Sequence, residues 1–303
     1  MNYKYLVYGL KINSQIEFNE FLENIDESDY NDVNIIYGKM DETIKQEISN
    51  GRKVFISRET VWFNIENVAT YLIKDGNLII IDPYKDSKLE EIKTYIFGAC
   101  LGHLLYQKEV VAIHGGTLEF NNEALIIVGE SGSGKSTLTT ALRLNGFGFL
   151  ADDLSALDIY EEPKVNPGYP GQRLCNDVMN KFGYKTDSYN KIELEDKVKY
   201  TIPVWESFIK EKTKIGMIFE ITVGDVEKVC IEKISGAEKL NLLLRNVYCL
   251  SSVKHLGVSS NYLRKCIKVA NEINTFKIIR PKEGFTVHDQ MMGIKNIINK
   301  TNY

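Results

Sequence analysis

Ile126-Ile127-Val128-Gly129-Glu130-Ser131-Gly132-Ser133-Gly134-Lys135-Ser136-Thr137 is the stretch on which the reading of this chain turns. An apolar run, a glycine-rich turn and a helical run follow one another. Gly129, Gly134, Lys135 and Ser136 fit the spacing G-x-x-x-x-G-K-[ST] of a phosphate-binding loop. Small residues let successive backbone N–H groups converge on a polyphosphate, and the helix that follows directs its positive end to the same point. Gly129, Ser131, Gly132, Ser133, Gly134, Lys135, Ser136 and Thr137 are therefore the expected nucleotide-binding set. In such a loop the lysine, Lys135, reaches the β- and γ-phosphates, and the hydroxyl of Ser136 ligates Mg²⁺. The bland alternative is an ordinary glycine turn between a strand at 124–128 and a helix at 137–144.

Bulk properties narrow the class. The chain has 303 residues, 44% hydrophobic and 26% charged, the proportions of a soluble globular protein with room for one large domain or two. With 37 basic and 41 acidic residues the net charge is -4, which argues against nucleic acid as a bulk electrostatic partner. No apolar run reaches membrane-span length, and Met1-Asn2-Tyr3-Lys4-Tyr5 lacks a signal-peptide core, so the expectation is a cytoplasmic protein with no membrane partner. The cysteines (Cys100, Cys175, Cys230, Cys249, Cys266) are scattered, with no C-x-x-C pair, and read as buried free thiols. A homo-oligomer is compatible with all of this.

Outward from the loop, residues 1–86 read as a β-rich region. Strands are expected at 5–12, 33–37, 54–57, 61–65, 68–73 and 78–82, arranged as an antiparallel meander, with a short helix at 18–25 and a hairpin turn at Lys74-Asp75-Gly76-Asn77. At Ser87 the period changes. Ser87 and Glu90 have capping-box spacing, and Ile92, Tyr95, Ile96, Ala99, Cys100 and Leu104 share one helical face, so a helix over 87–107 opens a second region, 87–303. His103 within it reads as structural.

Val110 to Phe120 then reads as a strand, a kink at His114-Gly115 and another strand, with Asn121-Asn122 turning into the phosphate-loop strand. His114 therefore falls within one hairpin of the nucleotide. Beyond the loop helix, a strand at 147–150 runs into Ala151-Asp152-Asp153. Adjacent carboxylates there need a positive partner, such as Mg²⁺ for one and a reacting hydroxyl for the other. Arg173, in the loop Asn166-Pro167-Gly168-Tyr169-Pro170-Gly171-Gln172-Arg173-Leu174, is a candidate for a phosphate or a carboxylate, or a structural pin. Residues 186–199 read as a mobile lid or a surface excursion, with Lys199 either a phosphate contact or a solvated side chain. Strands at 215–223 and 229–234 are expected to pair across Gly224-Asp225. Helices follow at 235–246, 261–273 and 287–299, with a strand at 276–279.

His114-Gly115, the loop from Gly129 to Ser136, and Ala151-Asp152-Asp153, in this order and spacing, resemble the HPr kinase/phosphorylase family. The resemblance covers roughly residues 100–180. It implies an α/β fold with an HPr kinase and phosphoenolpyruvate carboxykinase-like P-loop core, unlike the parallel Ras-type sheet, behind a mostly β N-terminal part. The outer parts are similar to the HPr-kinase-like enzymes that modify ribosomally made peptides, including lasso-peptide precursor kinases; residues 5–14, Tyr169 to Leu174 and Lys199-Tyr200 carry that likeness. The acidic, Arg-Gly-containing signature that follows the aspartates in true HPr kinase/phosphorylases is missing, which puts HPr as substrate in doubt.

The resemblance implies an ATP-dependent kinase with an accessible serine of a peptide as acceptor. In it, Asp152 takes the proton from the hydroxyl, Ser136 and Asp153 hold Mg²⁺, and Lys135, His114 and Arg173 stabilise the transferring group. A kinase of a free amino acid or other small hydroxyl metabolite, and a regulator that binds ATP without transferring phosphate, are the alternatives. A GTPase switch would need an N-K-x-D element, which is absent at any suitable place.

Overall fold

The computed structural model describes residues 2–23, 31–194 and 197–301. Among these residues, strands assemble into two eight-stranded sheets and one three-stranded sheet, with helices packed on them, a mixed α/β fold. No helix among them is long and apolar enough to cross a membrane.

The first sheet uses only strands from residues 3–83. Its far half is the expected antiparallel meander, from Val54–Ile56 through Thr60–Ile65 and Ala69–Lys74 to Leu78–Pro83. Its near half differs from expectation. Val33–Tyr37 runs parallel to both of its neighbours, Leu10–Ser14 and Leu78–Pro83. The long return that parallel pairing demands includes a helix, Glu42–Ser49, which the sequence reading missed. Asp41 caps it by accepting from Ile44 N at 2.8 Å. Only Ile44 of this helix is buried, against Met40 and Trp62, so its apolar stripe is too thin to show in the sequence.

The strand expected over 5–12 is a hairpin. Tyr8 and Gly9 both have positive φ, 54° and 77°, and join Val7 to Leu10 in a two-residue turn. Residues 18–23 of the expected 18–25 helix form a turn and a two-residue strand, Leu22–Glu23; residues 24 and 25 lie outside the described residues. The helical run beginning at Leu89 continues to Gln107 through one π-helical stretch, Ile96–Cys100. Its cap position is Lys88, and the Ser87 hydroxyl donates to Tyr84 O instead of serving as the cap. The buried face of this run (Ile92, Ile96, Phe97, Cys100, Leu101, Leu104, Leu105) packs in one cluster with the first sheet's Ile12, Ile35, Tyr71 and Ile79.

The second sheet carries the phosphate loop. The strand Glu123–Val128 lies between the antiparallel Val111–Phe120 and the parallel Thr213–Gly224. The sheet is therefore mixed, as the resemblance implied, and not all-parallel. Val111–Phe120 runs without a kink; at His114-Gly115 it changes neighbours instead. Residues 111–114 pair with Leu154–Leu157, and residues 115–120 pair with residues 123–128. Gly115 permits this crossing, because a Cβ there would lie 2.5 Å from Ile127 O. Asn121 and Asn122, φ 55° and 63°, make the tight turn between the two strands.

Thr213–Gly224 and Cys230–Ile234 do not pair with each other. The strand Asn274–Pro281 inserts between them, parallel to the first and antiparallel to the second, and its ladder with the first runs from Met217↔Asn274 to Gly224↔Pro281. Residues 186–199, expected as a mobile lid or a surface excursion, are largely a hairpin: Asn190–Leu194 pairs with Lys197–Pro203, which pairs in turn with Gly171–Cys175. Cys100, Cys249 and Cys266 are buried free thiols as expected, but Cys175 is half-buried and Cys230 is exposed near the end of its edge strand.

Candidate active site

The phosphate loop takes its shape from three glycines with positive φ: Gly129 at 147°, Gly132 at 82° and Gly134 at 109°. At Gly129 a Cβ would sit 2.4 Å from Ile221 O, so the backbone approach itself demands glycine. Gly134 occupies the cap position of the helix Lys135–Leu144 without a side-chain cap, which leaves the first N–H groups of the helix for an anion. Lys135 Nζ donates to Gly129 O at 2.6 Å and to Glu130 O at 3.1 Å, holding the loop around itself. Ser133 Oγ is buried without a hydrogen-bond partner among the described residues.

Arg280 was not foreseen. It sits near the end of Asn274–Pro281 and donates from Nε to Ser133 O at 2.7 Å and from Nη2 to Gly132 O at 3.2 Å. It stands 147 residues from Ser133 in the chain, and no spacing rule connects the two. Arg280→Ala is expected to leave the fold intact and to weaken ATP binding by about tenfold, because two charge-assisted bonds that set the loop's shape are lost. Calorimetric titration with ATP checks this; an unchanged affinity would make the arginine a bystander.

The loop opens into a cavity of about 540 Å³ whose lining includes Ser131, Gly132, Gly134, Lys135, Ser136, Thr137, His114, Asp153, Lys199 and Arg280. Every expected nucleotide-binding residue except Gly129 and Ser133, both of which are buried, lines this space. Lys199, on Lys197–Pro203 opposite Cys175, comes with them. Cys175, Asp177 and Lys181 also line it and were not foreseen.

The two aspartates sit between strands Gly148–Ala151 and Leu154–Asp158, both of which pair with Val111–Phe120. Gly115 N donates to Asp153 O at 3.1 Å, which ties the pair to the His114 strand. Their environments differ. Asp152 Oδ2 accepts from Arg173 N at 2.9 Å. Burial first, then the neighbouring Asp153 charge, push the Asp152 carboxyl up to about 6. Asp153 faces the cavity, with Oδ1 3.6 Å from His114 Nδ1. Burial opposes its ionisation, but His114, Lys199, Arg173 and Lys135 together outweigh that and hold the Asp153 carboxyl below its usual value. Burial lowers the His114 imidazole against the pull of Asp153. Lys135 is also lowered by burial, with Asp153 opposing.

Arg173 lies on Gly171–Cys175 with 9% of its surface exposed and its guanidinium 5.3 Å from the Phe97 ring centroid. Nε and Nη2, the two donors along one edge of the guanidinium, are buried without partners among the described residues. Around this region stand three tyrosines that the sequence reading did not single out. The Tyr169 ring lies tilted against Phe97 at 5.1 Å, Tyr248 lies 5.8 Å from His114, and Tyr8 comes from the N-terminal turn, where its N donates to Pro167 O at 2.8 Å.

A divalent cation fits the donor chemistry. The Ser136 hydroxyl and the Asp153 carboxylate, both hard oxygen donors, line the same cavity, and proteins hold Mg²⁺ by one or two such oxygens with phosphate and water completing the shell. No cluster of three or more His, Cys, Asp or Glu side chains suited to a metal occurs among the described residues.

The AAA domain family matches residues 105–283, more than half of the chain, including the loop, both aspartates, Arg173 and Arg280. The chain belongs to the AAA domain family. The AAA match and the loop geometry together imply ATP binding. No curated protein matches the chain. Among solved structures, the Hpr(Ser) kinase/phosphatase from Coxiella burnetii is similar over 63% of this AAA-family chain and 95% of its own, at 13% identity and a TM-score of 0.31.

Proposed function

We propose that this AAA-family protein is an ATP-dependent kinase that transfers the γ-phosphoryl group to a serine hydroxyl of a ribosomally made precursor peptide. The observation that carries the proposal is the division within one aspartate pair. Asp153, ionised, faces the phosphate cavity, while Asp152, raised to about 6, is turned away from it onto Arg173 N. Two neighbouring carboxylates pushed apart in this way suit one metal ligand and one general base.

The acceptor Oγ forms its bond to the γ-phosphorus as the bond to the β,γ-bridging oxygen breaks, and ADP leaves. The serine proton passes to Asp152. Lys135, His114 and Lys199 line the phosphate cavity and stabilise charge on the transferring oxygens, while Arg173, which is not in that lining, is left for the acceptor. Mg²⁺, held by Ser136 and Asp153, would neutralise β- and γ-phosphate charge when bound. Positioning and electrostatics dominate such a transfer.

The unpartnered edge of Arg173 matches the two oxygens of a carboxylate. That favours an acceptor with a carboxylate near its hydroxyl: a peptide ending in serine, or, as a second reading, a free amino acid. The test is incubation with Mg-ATP and, separately, HPr, free serine, and a serine-ending peptide as acid and as amide. Phosphate on the acid-terminated peptide, reduced on amidation and absent from HPr, is the expected result. Equal labelling of the amide would remove the carboxylate contact, and labelling of free serine alone would move the enzyme to small-molecule substrates.

A further inference from the structure

Beside the phosphate cavity lies a second cleft, of about 80 Å³, that shares Gly134, Thr137, Lys181 and Arg280 with it and is closed by Phe285 and Gln290. A nucleotide whose phosphates occupy the loop and whose nucleoside passes Thr137 leads into this cleft. Two features there have no role in phosphate binding. Phe285 is 55% exposed, its ring held by Lys181 Nζ at 5.5 Å and by the edge of Phe182 at 6.4 Å. Gln290, on the helix Val287–Thr301, is 4% exposed; its Nε2 donates to Thr286 Oγ1 at 3.0 Å, which leaves Oε1 buried without a donor. An exposed aromatic ring next to a buried, unpaired acceptor is a site for a flat heterocycle that carries an N–H.

We propose that this cleft is the nucleobase subsite and that it selects adenine: the purine lies on Phe285 and its exocyclic amino group donates to Gln290 Oε1. The proposal rests on the ATP-binding reading of the loop and is independent of the phosphate acceptor. The cleft is too small to enclose a purine, so it takes the amino-bearing edge while the ring face rests on Phe285. Guanine would present its O6 acceptor to Oε1, leaving two buried acceptors facing each other.

Titration calorimetry of the full chain with Mg²⁺ and ATP, GTP or inorganic tripolyphosphate tests this. The wild type is expected to bind ATP more tightly than GTP and than tripolyphosphate. Phe285→Ala should weaken ATP by about tenfold, the worth of one base stacked on an aromatic ring, and leave tripolyphosphate unchanged. Gln290→Leu, of similar volume, should cut the ATP-over-GTP preference by about fivefold or more. Equal affinity of the wild type for ATP and tripolyphosphate would overturn the subsite while leaving phosphate binding in place. An ATP-to-GTP ratio untouched by Gln290→Leu would overturn the adenine assignment. If the wild type binds neither ATP nor tripolyphosphate, the ATP-binding reading fails and the subsite with it.

Discussion

Lys135→Ala is expected to reduce phosphoryl transfer by at least about 10²–10³-fold, the scale seen when one fixed charge-stabilising donor is removed from a transfer site. The lysine would bring a single positive charge to the β- and γ-phosphates from a partly buried position, where the charge is poorly screened. Lys135 has a second role that its sequence motif does not reveal: Nζ bonds the carbonyls of Gly129 and Glu130. Removing it therefore frees two acceptors on an exposed loop, and the thermal melt should fall by a few degrees at most. Arg280 still holds Gly132 and Ser133 from the other side. Turnover and melt measured on the same preparation separate the two roles. Near-wild-type turnover in a folded variant would remove the kinase reading.

The aspartate pair should respond to the same substitution in opposite directions. The Asp152 carboxyl, raised to about 6 from an ordinary 3.8, is favoured in its protonated form by folding. The stability tied to that proton is fully present below pH 3.8 and is lost as pH rises through about 6. Asn, neutral at every pH, escapes the loss, so Asp152→Asn should be more stable than wild type at pH 7 by on the order of 2–3 kcal/mol, with the advantage fading toward pH 4. Asp153 has the reverse sign. Its folded value is depressed, so its ionised form contributes stability that is present at neutral pH and lost in acid, and Asp153→Asn should melt lower at pH 7. Function should divide as well. Asp152→Asn should still bind Mg-ATP but transfer about 10²–10⁴-fold more slowly, and wild-type kcat/KM should fall as pH drops through about 6. Asp153→Asn should demand more Mg²⁺; it should also move the acid limb of the rate profile to lower pH, because its charge helps to raise Asp152. Identical magnesium dependence and melting shifts of the same sign would end this division of labour.

How far the sequence showed these features depended on whether their cause was local. Gly129 to Ser136 were readable because a phosphate loop is set by consecutive backbone torsions, and the Asn121-Asn122 turn for the same reason. The meander from Val54 to Pro83 was readable from alternation and Lys74-Asp75-Gly76-Asn77. Features set by partners distant in the chain were not. The parallel placement of Val33–Tyr37 and the insertion of Asn274–Pro281 between two strands expected to form a hairpin are choices of neighbour, on which alternation is silent. At the site, the phosphate-loop residues, His114, Lys199 and Asp153 meet around one cavity, and Asp152 and Arg173 meet behind it. Arg280, Gln290 and Tyr248 belong to no motif, and Tyr8 and Tyr169, though they lie in stretches that carry the family likeness, have no spacing that ties them to Arg173; each reaches its place from a separate stretch of chain.

The turn at Tyr8-Gly9 also bears on modularity. Tyr8 N is bonded to Pro167 O, and Asn166 packs where a Cβ on Gly9 would have to go. The helical run from Leu89 to Gln107 buries its apolar face in the first sheet and holds Phe97 under Arg173. A cassette cut after residue 86 and transplanted without its front sheet would carry the whole phosphate loop and both aspartates. It would also carry a bare stripe of seven large apolar or thiol side chains, Ile92 to Leu105, and an arginine whose aromatic floor had lost its backing. Such a cassette should aggregate. In a sequence comparison that covers only residues 105–283, the front sheet would look dispensable, although it is what covers the apolar face of the helical run that holds Phe97 under Arg173.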